Sequence, residues 1–290
     1  MSNTTNKEYL LNSAEATFLV IFTSMQSVIG STANAIEIVF LWSKRHRYQA
    51  TSDYLTLNLA LTDFVVLTTY VPWRAYILSL REATGDFKYY TSLFVVCIFC
   101  TGNAVLLIAV DRFFAIMCPL RYKVLITGKV LWFSITISWI TAFVLGVGHG
   151  VSYKLKIHSE YELFLCALSF GQLLIISVVY IMVFKSARKQ AVFISEQAKS
   201  FNSSQRNRSF IWKTVLSTFC IICLFYGTFL PYSVYRIIST VDESLPKSAK
   251  RITWRRIMAF TFLNSCINPF IYFITMNRFR LSLKRFLGIK

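Results

Sequence analysis

Seven long apolar runs, separated by polar and basic stretches, occupy most of the chain: about 16–42, 54–77, 89–116, 130–147, 162–184, 210–238 and 257–275. Each is near or above the length a helix needs to cross the ~30 Å hydrocarbon core of a bilayer. Hydrocarbon offers no hydrogen-bond partners, so a helix, which satisfies its own backbone, is predicted for every run. Pro72, Pro231 and Pro269 fall inside runs and predict bends. Proline removes one backbone bond, and Asn268 stands where it could take up the carbonyl that Pro269 frees. Residues 1–15 are a polar tail, and the polar, serine-rich and basic stretch 185–210 is expected to be a loop. Residues 277–287 alternate apolar and basic positions at helical spacing, which predicts a short amphipathic helix on the membrane surface. The fold class expected is an all-α membrane protein, a seven-transmembrane helix bundle in one domain, 1–290.

Composition agrees. Of 290 residues, 55% are hydrophobic and 16% aromatic, too apolar for a soluble domain of this size. The net charge of +18 would suit a nucleic-acid partner, but the basic residues cluster between apolar runs. That distribution suits loops at an anionic inner leaflet and argues against nucleic acid. Lys and Arg are concentrated in the loops on the C-terminal side. This predicts a multi-pass plasma-membrane protein with its C-terminus inside and its N-terminus outside, where Asn3 of Asn3-Thr4-Thr5 would be a glycosylation acceptor. The polar first fifteen residues and the long first run argue against a cleavable signal peptide. Cys97, Cys100, Cys118, Cys166, Cys220, Cys223 and Cys266 show no paired metal spacing, which argues against a zinc site. His46, His149 and His158 lie in or beside loops, ungrouped with acids or cysteines, so a catalytic set is not expected.

The chemistry lies in polar residues inside the runs. Asp63 sits in mid-span, where a carboxylate needs a partner, a cation or a proton. Glu37 is a second intramembrane acid, either neutral or functional. Asp111-Arg112 ends the third run, a pair that can hold the arginine until better contacts are offered. Phe225, Phe229 and Pro231 place aromatics beside a kink in the sixth. Trp139 reads as packing. An ion-coupled transporter would also carry an intramembrane acid, but it should show internal repeats or a polar pore-lining series.

Asn268-Pro269-x-x-Tyr272, Asp111-Arg112-Phe113, Asn34, Asp63 within Asn58-Leu59-Ala60-Leu61-Thr62-Asp63, Trp139, Tyr180 and Pro231 occur in order along the chain. Together they resemble the rhodopsin-like (class A) G-protein-coupled receptors. The resemblance spans nearly the whole chain, with departures at Phe113, Thr228 and Phe229. It implies a receptor coupled to a heterotrimeric G protein, in which the sixth helix swings outward and Arg112 meets Tyr180 and Tyr272. It implies a sodium pocket of Asp63, Thr101, Asn264, Ser265 and Asn268. Phe210-Ile211-Trp212-Lys213 lacks the acid that often latches the off state in the family, which suggests ligand-free signalling. Phe94 stands where amine receptors carry an aspartate and Phe262 where opsins carry the retinal lysine. An amine ligand and a photoreceptor are therefore not expected. Phe87 near the usual outer cysteine and Gln172 in place of a proline are absences similar to those of melanocortin, cannabinoid and lysolipid receptors. Phe94, Tyr232, Tyr235, Arg236 and Phe262 are the expected ligand pocket. Basic residues among aromatics at that end (Arg74, Arg236, Arg255, Arg256) would suit an acidic lipid or a peptide carboxylate, or simply anchor at the interface. The remaining alternative is a constitutive or heterodimerising orphan receptor.

Overall fold

The computed structural model describes residues 12–43, 51–79, 87–197, 203–242, 244, 246–275, 280 and 288, without the side chains of 87–89, 191–214, 247, 248 and 251. Asn3, Phe87's side chain, the side chains of Phe210-Ile211-Trp212-Lys213 and nearly all of the amphipathic stretch 277–287 thus lie outside the described residues. The described chain is helical throughout, with short connections: α1 (Ser13–Ser43), α2 (Thr51–Ser79), α3 (Phe87–Met117), α4 (Tyr122–Leu125), α5 (Gly128–Leu155), α6 (His158–Gln197), α7 (Ser203–Val241), α8 (Lys247–Thr261) and α9 (Leu263–Thr275). Seven segments are long and apolar enough to span a membrane, α8 and α9 together forming the seventh. The stretch 185–210 is helical at both ends, since α6 runs to Gln197 and α7 starts at Ser203.

Helix α3 is the central post: 67% of its apolar window is buried, against 28% for α1 and for α5. It packs against α2, α5, α6 and α7. The outward faces of α1 and α5 carry Phe18, Val28, Val39, Phe133, Val144 and Val147, all exposed, the lipid-facing surface such a bundle requires. Where α5 meets α3, Gly146 is obligatory for the approach. A Cβ there would lie 2.2 Å from Val96 Cγ2 and 2.9 Å from the Ser92 carbonyl oxygen.

The connection between α5 and α6 is only Lys156-Ile157. Lys156 adopts the left-handed conformation (φ 59°), and its N–H returns to the Ser152 carbonyl. This helix-ending turn folds α6 back on α5 and places the last turns of one beside the first turn of the other.

The seventh span is interrupted at Phe262, between α8 and α9, and Pro269 interrupts it again. Both defects disturb the backbone ladder of the span, and α1 supplies a side-chain donor at each place. Gln26 Nε2 donates to the Ala259 carbonyl at 3.0 Å, in the last turn of α8. Asn34 Nδ2 donates to the Ser265 carbonyl at 2.9 Å, the acceptor whose i+4 donor would have been the missing N–H of Pro269. Asn268, expected to serve that carbonyl, instead turns to Asp63. Its side chain leaves the helix towards α2, whereas Asn34 faces α9 directly. Gly30, one turn before Asn34, permits this approach: a Cβ there would lie 3.1 Å from Cys266 Cα.

Candidate functional site

Three clusters run down the bundle axis. In the middle, Asp63 of α2 is fully buried, and Asn268 Nδ2 donates to its Oδ2 at 2.7 Å. The Ser265 hydroxyl stands beside the same carboxyl. Asp63 Oδ1, Thr101 Oγ1, Asn264 Oδ1 and Asn268 Oδ1 are buried oxygens without a protein hydrogen-bond partner. Buried polar atoms are normally satisfied, so this group of oxygens from α2, α3 and α9 is a polar centre that seeks water or a cation. Glu37 of α1 is also buried, with Oε1 unpartnered, and lies close enough to Asp63 for the two acids to influence each other.

Above the polar centre, a narrow cavity is lined by Ile98, Thr101, Phe225, Phe229, Thr261, Phe262 and Asn264. At about 10 Å³ it has room for about one water molecule. Phe225 and Phe229 stack beside it, with centroids 5.2 Å apart. Phe229 leads to Tyr232 (5.9 Å), and Tyr232 to Phe94 (4.8 Å, edge-on). Phe94 also meets Phe262 at 5.6 Å and Tyr70 at 5.5 Å. The expected pocket residues Phe94, Tyr232 and Phe262 thus form one aromatic sleeve, joined by Tyr70 and Tyr90, which stack at 4.7 Å.

Tyr235 and Arg236 are committed elsewhere. The Tyr235 hydroxyl donates to the Lys250 carbonyl. Arg236 of α7 clasps Glu162 of α6, with Nε 3.1 Å from Oε2 and Nη2 on Oε1. Arg74 donates to the Arg255 carbonyl and lies 5.9 Å over the Trp254 ring, and Arg256 pairs with Glu15 at 2.5 Å. These arginines therefore bind protein in this conformation. The expectation of histidines ungrouped with acids is overturned: His149 Nε2 is 2.8 Å from Glu162 Oε1, and His158 Nε2 is 3.7 Å from it. The tight α5–α6 connection brings them together across the chain reversal.

At the far end of α3, Arg112 is held by its neighbour. Its Nε is 3.1 Å from Asp111 Oδ2, and Nη2 contacts the same oxygen. The other carboxylate oxygen of Asp111 accepts from the Tyr122 hydroxyl of α4 at 2.5 Å. Burial and this bond to Asp111 push the Tyr122 phenol up to about 12, so it remains a donor throughout the physiological range. Nothing in the sequence singled out Tyr122 for this role. Tyr180 donates to the Val215 carbonyl of α7, and the Tyr272 hydroxyl lies beside Thr56. Arg112, Tyr180 and Tyr272 share one end of the bundle but have separate partners.

Two further residues do more than expected. Trp139, read as packing, also donates its indole N–H to Asn58 Oδ1 at 3.0 Å. Gln172 of α6 donates to Asn103 Oδ1 at 3.0 Å, and Asn103 donates to the Ser138 carbonyl at 2.9 Å, a polar tie from α6 through α3 to α5.

Comparison with known proteins gives this arrangement a family. Residues 33–172 and 150–272 match the model for the 7 transmembrane receptor (rhodopsin family). Adenosine receptor A3 of Canis lupus familiaris is 24% identical over 90% of this chain and 88% of its own length. The histamine H2 receptor of the same species is 25% identical over 96% of this chain and 81% of its own. Free fatty acid receptor 3 of Rattus norvegicus is 22% identical over 87% and 81%. With both matched segments spanning the bundle and its polar axis, the chain belongs to the rhodopsin family of seven-transmembrane receptors, multi-pass membrane proteins that signal through G proteins and are not enzymes.

Proposed function

We propose that this receptor sits in the plasma membrane with its N-terminus outside and the Arg112 end facing the cytosol. An extracellular ligand of lipid or peptide chemistry acts by letting the sixth span, α7, move outward at its cytosolic end. The observation that carries this reading is the division of partners around Arg112. Asp111 and Tyr122 hold the guanidinium, while Tyr180 ties α6 to α7 through the Val215 carbonyl. Outward movement of α7 breaks the Tyr180 bond and opens a cleft. Arg112 can then leave Asp111, meet Tyr180 and Tyr272, and present its donors to the G protein. A ligand shifts this equilibrium only through its differential affinity for the two arrangements.

The ligand class follows from the sleeve. Phe94, Tyr70 and Phe262 are buried and Tyr232 partly buried, all without acidic charge, and Glu162, the nearby carboxylate, is engaged by Arg236. An amine would find no free counter-ion there. Among the ligands named by the relatives, the apolar chain of a free fatty acid suits this aromatic lining better than histamine does. A second reading, signalling without a diffusible ligand, is favoured by the absence of acid anywhere from 198 to 241, which leaves Asp111 as the acidic partner of Arg112.

The oxygens of Asp63, Thr101, Asn264, Ser265 and Asn268 fit a sodium ion. They are all-oxygen donors, the choice of hard cations, and each of the five residues presents a buried oxygen without a protein partner. Bound there, sodium would offset the Asp63 charge and favour the closed packing of α2, α3 and α9. Nucleotide exchange on a purified heterotrimer, driven by receptor in nanodiscs, tests this with sodium or choline as the only cation. Sodium lowers exchange by the wild type, and Asp63→Asn removes the difference. Equal exchange in both salts at confirmed receptor folding sinks the sodium assignment.

A further inference from the structure

We propose that His149, His158 and Glu162 form a binding site for a transition-metal dication, with Zn²⁺ as the natural probe, at the outer ends of α5 and α6. This goes beyond the receptor reading and does not depend on the identity of the ligand. One ligand atom from each of the three residues falls within 4.8 Å of the other two. A tetrahedral zinc with bonds of 2.0–2.1 Å separates its ligand atoms by about 3.3 Å. The distances from Glu162 Oε1, 2.8 Å to His149 Nε2 and 3.7 Å to His158 Nε2, straddle that value.

The hydrogen bonds around the two imidazoles favour the metal. Ser152 Oγ gives its one proton to the His149 carbonyl at 2.7 Å. Its contact with His158 Nδ1 at 3.4 Å therefore has the ring as donor. The neutral His158 ring then carries its proton on Nδ1 and turns the lone pair of Nε2 towards a carboxylate oxygen. Two acceptors facing each other repel unless a cation lies between them. The Tyr153 ring, stacked on His158 at 3.8 Å, fixes that orientation. His149 has the matching support, with Nδ1 3.2 Å from Ser92 Oγ. The Ser92 hydroxyl can donate to that nitrogen, or accept from it when Nε2 gives up its proton for a metal. Both rings thus have Nε2 converging on Glu162 and Nδ1 held by a serine, the outer support typical of metal-ligating histidines. Two imidazole nitrogens select zinc-like ions over Ca²⁺ or Mg²⁺.

Arg236 sets the competition. Its Nη2 shares Oε1 of Glu162 with the histidines, so a metal on that oxygen displaces this half of the clasp. The side chains of Arg236 and His158 are 19% and 30% exposed, which gives the guanidinium a way out and the ion a way in. Metal occupancy therefore strengthens the α5–α6 hairpin and loosens its hold on α7.

The test uses full-length receptor in nanodiscs, with buffered Zn²⁺, reading bound metal by mass spectrometry and the unfolding temperature. The wild type should bind one zinc and unfold at higher temperature with it, while Ca²⁺ and Mg²⁺ leave it unchanged. His158→Ala, a change at a partly exposed ring that the fold tolerates, should weaken binding at least ~10-fold, and Ser152→Ala should weaken it by about 10-fold. Arg236→Gln, which removes the competing cation, should tighten it. An absent zinc effect, equal zinc affinity in His158→Ala, or weaker binding in Arg236→Gln would each overturn the proposal.

Discussion

The Asn34–Ser265 bond can be isolated by a double-mutant cycle with Pro269. Asn34→Ala removes the amide that donates to the Ser265 carbonyl at 2.9 Å and to the Gly30 carbonyl at 2.8 Å. The Gly30 carbonyl keeps its helical donor, the N–H of Asn34 itself, so only Ser265 is orphaned. A buried carbonyl left without a partner costs about 1–3 kcal/mol. Pro269→Ala restores the N–H that α9 would use for the Ser265 carbonyl, so in that background the loss of Asn34 orphans nothing. The account therefore predicts a coupling of about 1–3 kcal/mol between the two substitutions, with Asn34→Ala milder in the Pro269→Ala receptor. Equilibrium unfolding of the four purified receptors in mixed micelles measures it. Additive effects, with a coupling below about 0.5 kcal/mol, would refute the claim that α1 repairs the proline defect.

The clasp between α6 and α7 gives a second prediction. Glu162→Gln leaves the Arg236 charge unpaired in a largely buried setting and should cost about 3–5 kcal/mol, much of it recovered by adding Arg236→Gln; thermal unfolding of the single and double variants checks both. Gly146→Ala pushes a methyl group against the Ser92 carbonyl and Val96, and should destabilise by about 1–3 kcal/mol, read by the same assay.

The spans were legible because a bilayer imposes length and apolarity on every crossing helix, and the seven runs are long enough to show it. Asp63 and Asn268 were legible as a site because a buried carboxylate must find a partner, and the amide does donate to it at 2.7 Å. What sequence could not show was which donor serves which acceptor across helices. Asn268 and Asn34 are chemically alike, and only the approach at Gly30 decides that Asn34 reaches the Ser265 carbonyl. Tyr122 gave no signal because its partner lies eleven positions back, across the turn between α3 and α4. His149, His158 and Glu162 looked scattered because a reversal of two residues, with Lys156 left-handed, is hard to foresee from a lysine. The outer arginines read as ligand contacts or interface anchors because basic residues among aromatics suit either role, yet Arg74 is 2% exposed and bonded to a backbone carbonyl.

The central claim is that Arg112 is the switch, held by Asp111 and Tyr122. Its most direct test is second-messenger output in cells expressing wild type, Arg112→Ala and Tyr122→Phe at matched surface level, without added ligand. The account predicts that wild type signals above untransfected cells, that Arg112→Ala falls to their level, and that Tyr122→Phe, with Asp111 less firmly placed, signals more than wild type. Output unchanged across all three receptors would contradict it.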